Sequence, residues 1–216
     1  MLCYQWTTSP LKMTQNKPGF TPLQVAKACR AAVRDRYVAT SCIETAYLFE
    51  RTAHHLGLPA TRVVCQVLAI SRLMADAMCR GVPPEEIPRE YGYWSVHVGQ
   101  LQFPEDYVGR MDDEKNRFVG HVVCLVDGRL IDPSADQMNR PAKGLILDEP
   151  VIARLDDEEP NMAYTLTPHG VSVRYTLHPD VPVPKPKSDR ILERIARRLA
   201  KELLAELNAS AGKRAS

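Results

Sequence analysis

The chain has 216 residues, of which 44% are hydrophobic and 25% charged, and its formal net charge is +2. That size and balance suit one globular domain with appendages, large enough to bury a real core, and exclude bulk nucleic-acid binding. No apolar run approaches the ~20 residues of a bilayer span, and six cysteines without paired spacing exclude a disulfide framework or a CxxC zinc site.

Residues 1–19 read as a poorly ordered lead-in, polar and broken by Pro10, Pro18 and Gly19. Met1 to Lys17 has no basic region ahead of an apolar core, so no signal peptide is expected and a cytoplasmic location with reduced thiols follows. Thr21-Pro22-Leu23-Gln24 is a capping box with proline at the first helical position, predicting a helix to about Arg36. Val25, Ala28, Cys29, Ala32 and Val33 give it an apolar stripe, so Cys29 is core.

Ser41-Cys42-Ile43-Glu44 has the same capping pattern ahead of a second helix, from Cys42 to Leu56 with Gly57 as its stop. Ala46, Phe49, Ala53 and Leu56 form its stripe. A thiol on the first helical residue feels the positive end of the helix dipole, which favours the thiolate. The backbone N–H of that residue points out of the helix, free to receive an oxyanion. Cys42 is therefore a candidate nucleophile. His54 and His55 lie roughly 18 Å along the same helix at 1.5 Å per residue. They cannot serve Cys42 and instead complement the dipole.

Thr61 to Ala69 is β-branched and apolar, a predicted strand. Ile70 to Arg80 turns helical and is closed by Gly81 and Val82-Pro83-Pro84. Tyr91 to Val98 alternates as another strand and carries Trp94 and His97. Trp94 is a candidate oxyanion donor or substrate wall, with core packing the simpler role. His97 is a rival base, but no aspartate follows it at hairpin spacing. Residues 99–118 are polar and precede His121, either as a lid or as an insertion without order.

Two β-rich runs flank Asp127-Gly128, the strongest short-range hairpin signal. With that turn Val126 faces Arg129 and Asp132 faces Val123. Side chains alternate along each strand, so His121, Val123, Asp132 and Ser134 share one face. Asp132 is then the diagonal neighbour of His121, roughly 5 to 8 Å away between Cβ atoms. A one-residue slip would separate them. Cys42, His121 and Asp132 thus meet the demands of a nucleophile, a base and an orienting group.

Leu145–Leu147, Val151–Leu155, Met162–Thr167 and Val171–Leu177 read as further strands, the last pair joined by Pro168-His169-Gly170. Asp148 to Glu159 is acidic, which suits a solvated loop. Residues 179–187 are a proline-rich linker. Residues 188–216 hold a basic amphipathic helix, predicted from Ser188 to about Leu207, with Leu192, Ile195, Leu199 and Leu203 on its apolar face. From residue 181 onward nine Lys/Arg oppose four Asp/Glu, +5, which leaves −3 elsewhere. The helix is expected to dock on a protein surface, its own domain or a partner, and to be dispensable for chemistry.

The order Cys, His, Asp, with Cys opening a helix and His and Asp on adjacent strands, resembles the transglutaminase-like superfamily of papain-type enzymes. The resemblance spans about Ser41 to Pro133. It is carried by Ser-Cys-Ile-Glu-Thr-Ala at 41–46, His-Leu-Gly-Leu-Pro-Ala at 55–60, Gly-His at 120–121 and Ile-Asp-Pro at 131–133. It implies Cys42 as nucleophile, His121 as base and Asp132 as its orienter, without cofactor or metal. The chain departs from the family in having Val122-Val123 where Ala-Trp often follows the histidine. The fold expected is α+β, a transglutaminase/papain-like core in residues 20–178 with the nucleophile helix on a mostly antiparallel sheet.

The expected activity is acyl transfer from a protein or peptide substrate, first of all hydrolysis of a peptide or isopeptide amide through a thioester. The alternatives are an amine acyltransferase or cross-linking enzyme, and a non-catalytic scaffold on the same fold. Acetyl transfer from coenzyme A is chemically close, but no nucleotide-contact signature is present.

Overall fold

The computed structural model describes residues 20–34, 41–83, 85–88, 90, 92–99, 111–112, 117–143, 145–147 and 150–214. The expected lead-in at 1–19 lies outside them. Among the described residues there are four helices and an antiparallel sheet closed into a barrel, an α+β arrangement.

The helices α1 (Pro22–Arg34) and α2 (Cys42–His55) begin where their sequences place them. The capping box of α1 is closed, with Gln24 N–H donating to Thr21 Oγ1 at 3.3 Å and Thr21 N–H to Gln24 Oε1 at 2.9 Å. The expected box at Ser41 is not. The Ser41 side chain makes no capping bond, because its hydroxyl accepts from Arg30 instead, at 2.7 Å. A charged donor outcompetes a backbone N–H for one hydroxyl oxygen.

Strand β1 (Ala60–Ile70) organises the sheet. Along one edge it pairs first with β5 (His121–Val126) and then with β2 (Ser95–Val98), and along the other with β9 (Ser172–His178). From β5 the order runs through β6 (Arg129–Asp132), β7 (Val151–Leu155) and β8 (Met162–Leu166) to β9, so β1–β9 pairing closes the barrel. A small separate ladder joins β3 (Met111–Asp112) to β4 (Arg117–Phe118) inside the segment expected to be a lid or insertion. Leu145–Leu147 is not a strand: Leu145 makes one isolated bridge to Arg140. The short helix α3 (Arg72–Cys79) is capped by Ser71, whose hydroxyl accepts from Met74 N–H.

Alternation along the strands sorts two apolar cores. Val63, Cys65, Val67, Val123, Leu130, Ala153, Val173, Tyr175 and Leu177 fill the barrel. Val122, Cys124, Val126 and Ile131 face outward onto α1, α2 and α4 (Asp189–Arg214). The Asp127-Gly128 turn has φ 48° and 71°, the left-handed pair that a type I′ hairpin requires. Its register, Val126 with Arg129 and Cys124 with Ile131, is the expected one. The backbone also pinches tightly just before His121. A Cβ on Gly99 (φ 78°) would stand 2.8 Å from the Gly120 Cα and 3.3 Å from the Cys65 carbonyl oxygen.

The basic helix α4 docks on its own domain. Leu192, Ile195, Ala196 and Leu199 are buried against α1 and α2. Glu193 accepts from Arg51 at 2.7 Å, His55 at 3.0 Å and Arg197 at 3.1 Å, and the Arg51 bond above all holds its carboxyl down at about 2. In the proline-rich segment Val183 packs against the same core, and the Pro184 carbonyl accepts from Arg62 at 3.5 Å. The helix therefore completes the core: of the surfaces expected for it, it takes its own domain. Its amphipathic pattern announced a buried face, but not whose surface would cover it. A chain ending at Asp180 would uncover several apolar side chains worth roughly 1.5 to 3 kcal/mol each, comparable to the ~5 to 15 kcal/mol of a whole domain. Thermal melting of that truncation should show loss of the cooperative transition or a large fall in Tm.

Candidate active site

His121 and Asp132 stand on adjacent strands, as the hairpin register requires. His121 Nε2 lies 2.9 Å from Asp132 Oδ2, and both residues are buried, at 2% and 0% exposure. A buried carboxylate must have its lone pairs answered. Asp132 Oδ2 also accepts from the Tyr175 hydroxyl at 3.1 Å. Its Oδ1 accepts from the Ser134 backbone N–H at 3.0 Å and the Ser134 hydroxyl at 3.3 Å. Four donors thus converge on one side chain.

Cys42 begins α2 at 8% exposure, close enough to His121 for its sulfur to act on the imidazole. With Nε2 committed to Asp132, Nδ1 is the ring nitrogen left for the thiol. Burial alone would disfavour the imidazolium, but the Asp132 carboxylate, the Asp132 hydrogen bond and the Cys42 sulfur outweigh it and push His121 up to about 10. The other buried thiols are held neutral. Burial raises Cys29 to about 12, and Cys65 and Cys124 well above the ordinary thiol range.

The N-terminal end of α2 is tied down from two directions. Arg30, from α1, reaches Ser41 Oγ at 2.7 Å and Thr45 Oγ1 at 3.3 Å. The same guanidinium grips Asp136 through two bonds, Nε to Oδ1 at 2.8 Å and NH2 to Oδ2 at 3.0 Å. Asp136 sits on the 3₁₀ turn Ala135–Met138, which follows directly on β6. Next to it, the Gln137 carboxamide faces the helix end. Turned so that both its polar atoms meet complementary partners, its oxygen accepts from Cys42 N–H at 2.9 Å and Ser41 N–H at 3.1 Å. The expected free N–H of Cys42 is therefore occupied.

Of the residues singled out in the sequence, Cys42, His121 and Asp132 come together. Trp94 does not join them: it packs in the barrel core, and its backbone N–H and carbonyl bond to Ser71. His97 lies exposed on β2, paired with Leu68, while His121 holds the bond to Asp132. Sequence reasoning missed Tyr175, Ser134, Arg30, Asp136 and Gln137. Ser134 was placed on the correct face but given no role. Tyr175 carried one signal, its shared parity with Val173 and Leu177 on a strand that proved to line the barrel.

No protein-family model, curated protein or solved structure matches the chain.

The raised His121 carries a stability signature with a definite sign. The folded state holds a proton that the unfolded chain releases near pH 6.5, so this contribution is complete below pH 6.5 and lost as pH rises through about 10. Melting temperature should fall across that window. Asp132→Asn removes the charge that sustains the imidazolium and should flatten the slope. It should also lower stability throughout by roughly 1 to 3 kcal/mol, because an amide nitrogen would face donors.

Proposed function

We propose that the protein is a cysteine-nucleophile acyl-transfer enzyme of transglutaminase-like type, which hydrolyses a peptide or isopeptide amide through a thioester. One observation carries the reading: a cysteine on the first turn of a helix stands beside a buried histidine, which lies 2.9 Å from a buried aspartate. The imidazolium supports the Cys42 thiolate before attack. The sulfur then bonds to the carbonyl carbon, and the carbonyl π pair moves to oxygen as an oxyanion. Collapse expels the amine, which takes its proton from His121, and the acyl group stays on Sγ. Neutral His121 next draws a proton from water, whose oxygen attacks the thioester and releases the acid. Asp132 holds the imidazole orientation throughout, with Tyr175 and Ser134 holding Asp132.

Selective alkylation tests the nucleophile. Iodoacetamide at pH 6.5, followed by peptide mapping, should modify Cys42 far faster than Cys65 or Cys124, which are buried and held neutral. Equal labelling of the three would sink the assignment. Once a peptide or isopeptide amide is found that the chain cleaves, His121→Ala should slow turnover by up to ~10⁴-fold, with Asp132→Asn close behind and the double variant little worse. Full activity in His121→Ala with loss in His97→Ala would move the base role to His97.

A further inference from the structure

We propose that Gln137 gates the oxyanion hole: in the resting protein its amide oxygen holds the position that an acyl oxygen must take. This rests on the chemistry proposed at Cys42. Two N–H groups at the start of α2, those of Ser41 and Cys42, both donate to Gln137, at 3.1 and 2.9 Å. Any carbonyl attacked by Cys42 that places its oxygen on the Cys42 N–H must displace that amide.

The gate is held in register by one guanidinium. Arg30 binds Asp136, the neighbour of Gln137, and Ser41, the residue before Cys42, and the Arg30 and Asp136 side chains are each only 13% exposed. Turn and helix end therefore keep a fixed relation, and the movement falls to the uncharged Gln137 side chain.

The exchange is selective by its energetics. A neutral substrate carbonyl that replaces a neutral amide oxygen trades like for like and gains almost nothing. The oxyanion makes charge-assisted bonds, roughly twice as strong as neutral ones. The hole thus yields to the tetrahedral intermediate and resists the ground state, so the gate weakens substrate binding while the preference of the hole for the oxyanion is kept. Gln137 is a positioning residue, since it acts by occupying and vacating the hole.

The test uses 4-nitrophenyl acetate on the full chain. Thiolate attack forms the S–C bond, and collapse expels 4-nitrophenolate and leaves acetyl on Sγ, so the burst measures acylation. Each acylation rate is divided by the iodoacetamide alkylation rate of Cys42 in the same variant, because alkylation passes through no oxyanion. Gln137→Ala should raise the normalised second-order acylation rate about fivefold, the effect of losing competing bonds worth ~1 kcal/mol net, chiefly through a lower half-saturation concentration. Gln137→Asn keeps an amide that is one methylene too short to reach, and should act in the same direction if the alanine variant folds poorly. Gln137→Glu, a stronger acceptor, should lower the rate. An unchanged rate in the alanine and asparagine variants would reduce Gln137 to a helix cap, and a fall in both would make it an oxyanion donor; either result overturns the gate. Wild-type protein whose Cys42 takes no acetyl group would overturn the acyl-transfer reading and the gate with it, whereas an acylated wild type with unaffected variants overturns the gate alone.

Discussion

A carboxylate with no exposed surface costs several kcal/mol unless every lone pair is answered, and at Asp132 that demand shapes much of the molecule. Its partners come from three separate places: His121 on β5, Ser134 in the turn after β6 and Tyr175 on β9. Tyr175 can reach it only because the barrel closes and brings β9 beside β1. The closed barrel and the answered carboxylate are one condition seen from two sides. The charge in turn sustains the imidazolium of His121, and the imidazolium faces Cys42.

The two layers divide the work. The barrel interior carries the acid and its partners in a place water does not reach. The outer layer of α1, α2 and α4 carries the thiol and fixes the helix that bears it. His121, at the start of β5, is where the two layers meet. Glu193 joins α4 to α2 through Arg51 and His55, and Arg30 joins α1 to the end of α2 where Cys42 stands. Cys42 is thus braced on a helix that side chains from other helices hold at both ends, the rigidity that the proposed role of its sulfur requires.

How much of this could be read from the chain depended on distance along it. The Asp127-Gly128 turn is a local signal, and one turn type fixes the register that puts His121 beside Asp132. The start of α2 was equally local. The cap at Ser41 was misread because its hydroxyl is taken by Arg30, eleven residues away on another helix. Tyr175 lies 43 residues from Asp132, and no periodicity links the two. Barrel closure through β1–β9 has no local signature, since each strand reads the same whether its far edge is paired or open. Gln137 was invisible for a related reason: it follows the hairpin in an irregular turn, where no repeat says which way a side chain points. Leu145–Leu147 erred in the opposite direction, because Leu145 and Leu147 reach the barrel core without needing a ladder, while Ile146 between them is exposed.

The near-contact of Gly99 and Gly120 isolates what lies between them. The chain leaves β2 at Gly99 and returns at Gly120, where a side chain at Gly99 would collide with the Gly120 backbone. Gly99 and Gly120 therefore form a neck whose two ends are already fixed. The entropic cost of a longer loop grows only with the logarithm of its length, about 0.6 kcal/mol for each doubling. Residues can be added or removed beyond the neck while β5 still begins at His121 in the same place. In descent or in design, this is the part of the molecule where length is free to vary independently of the histidine next to it, and so the natural place for a new surface to be grafted beside an unchanged Cys42, His121 and Asp132.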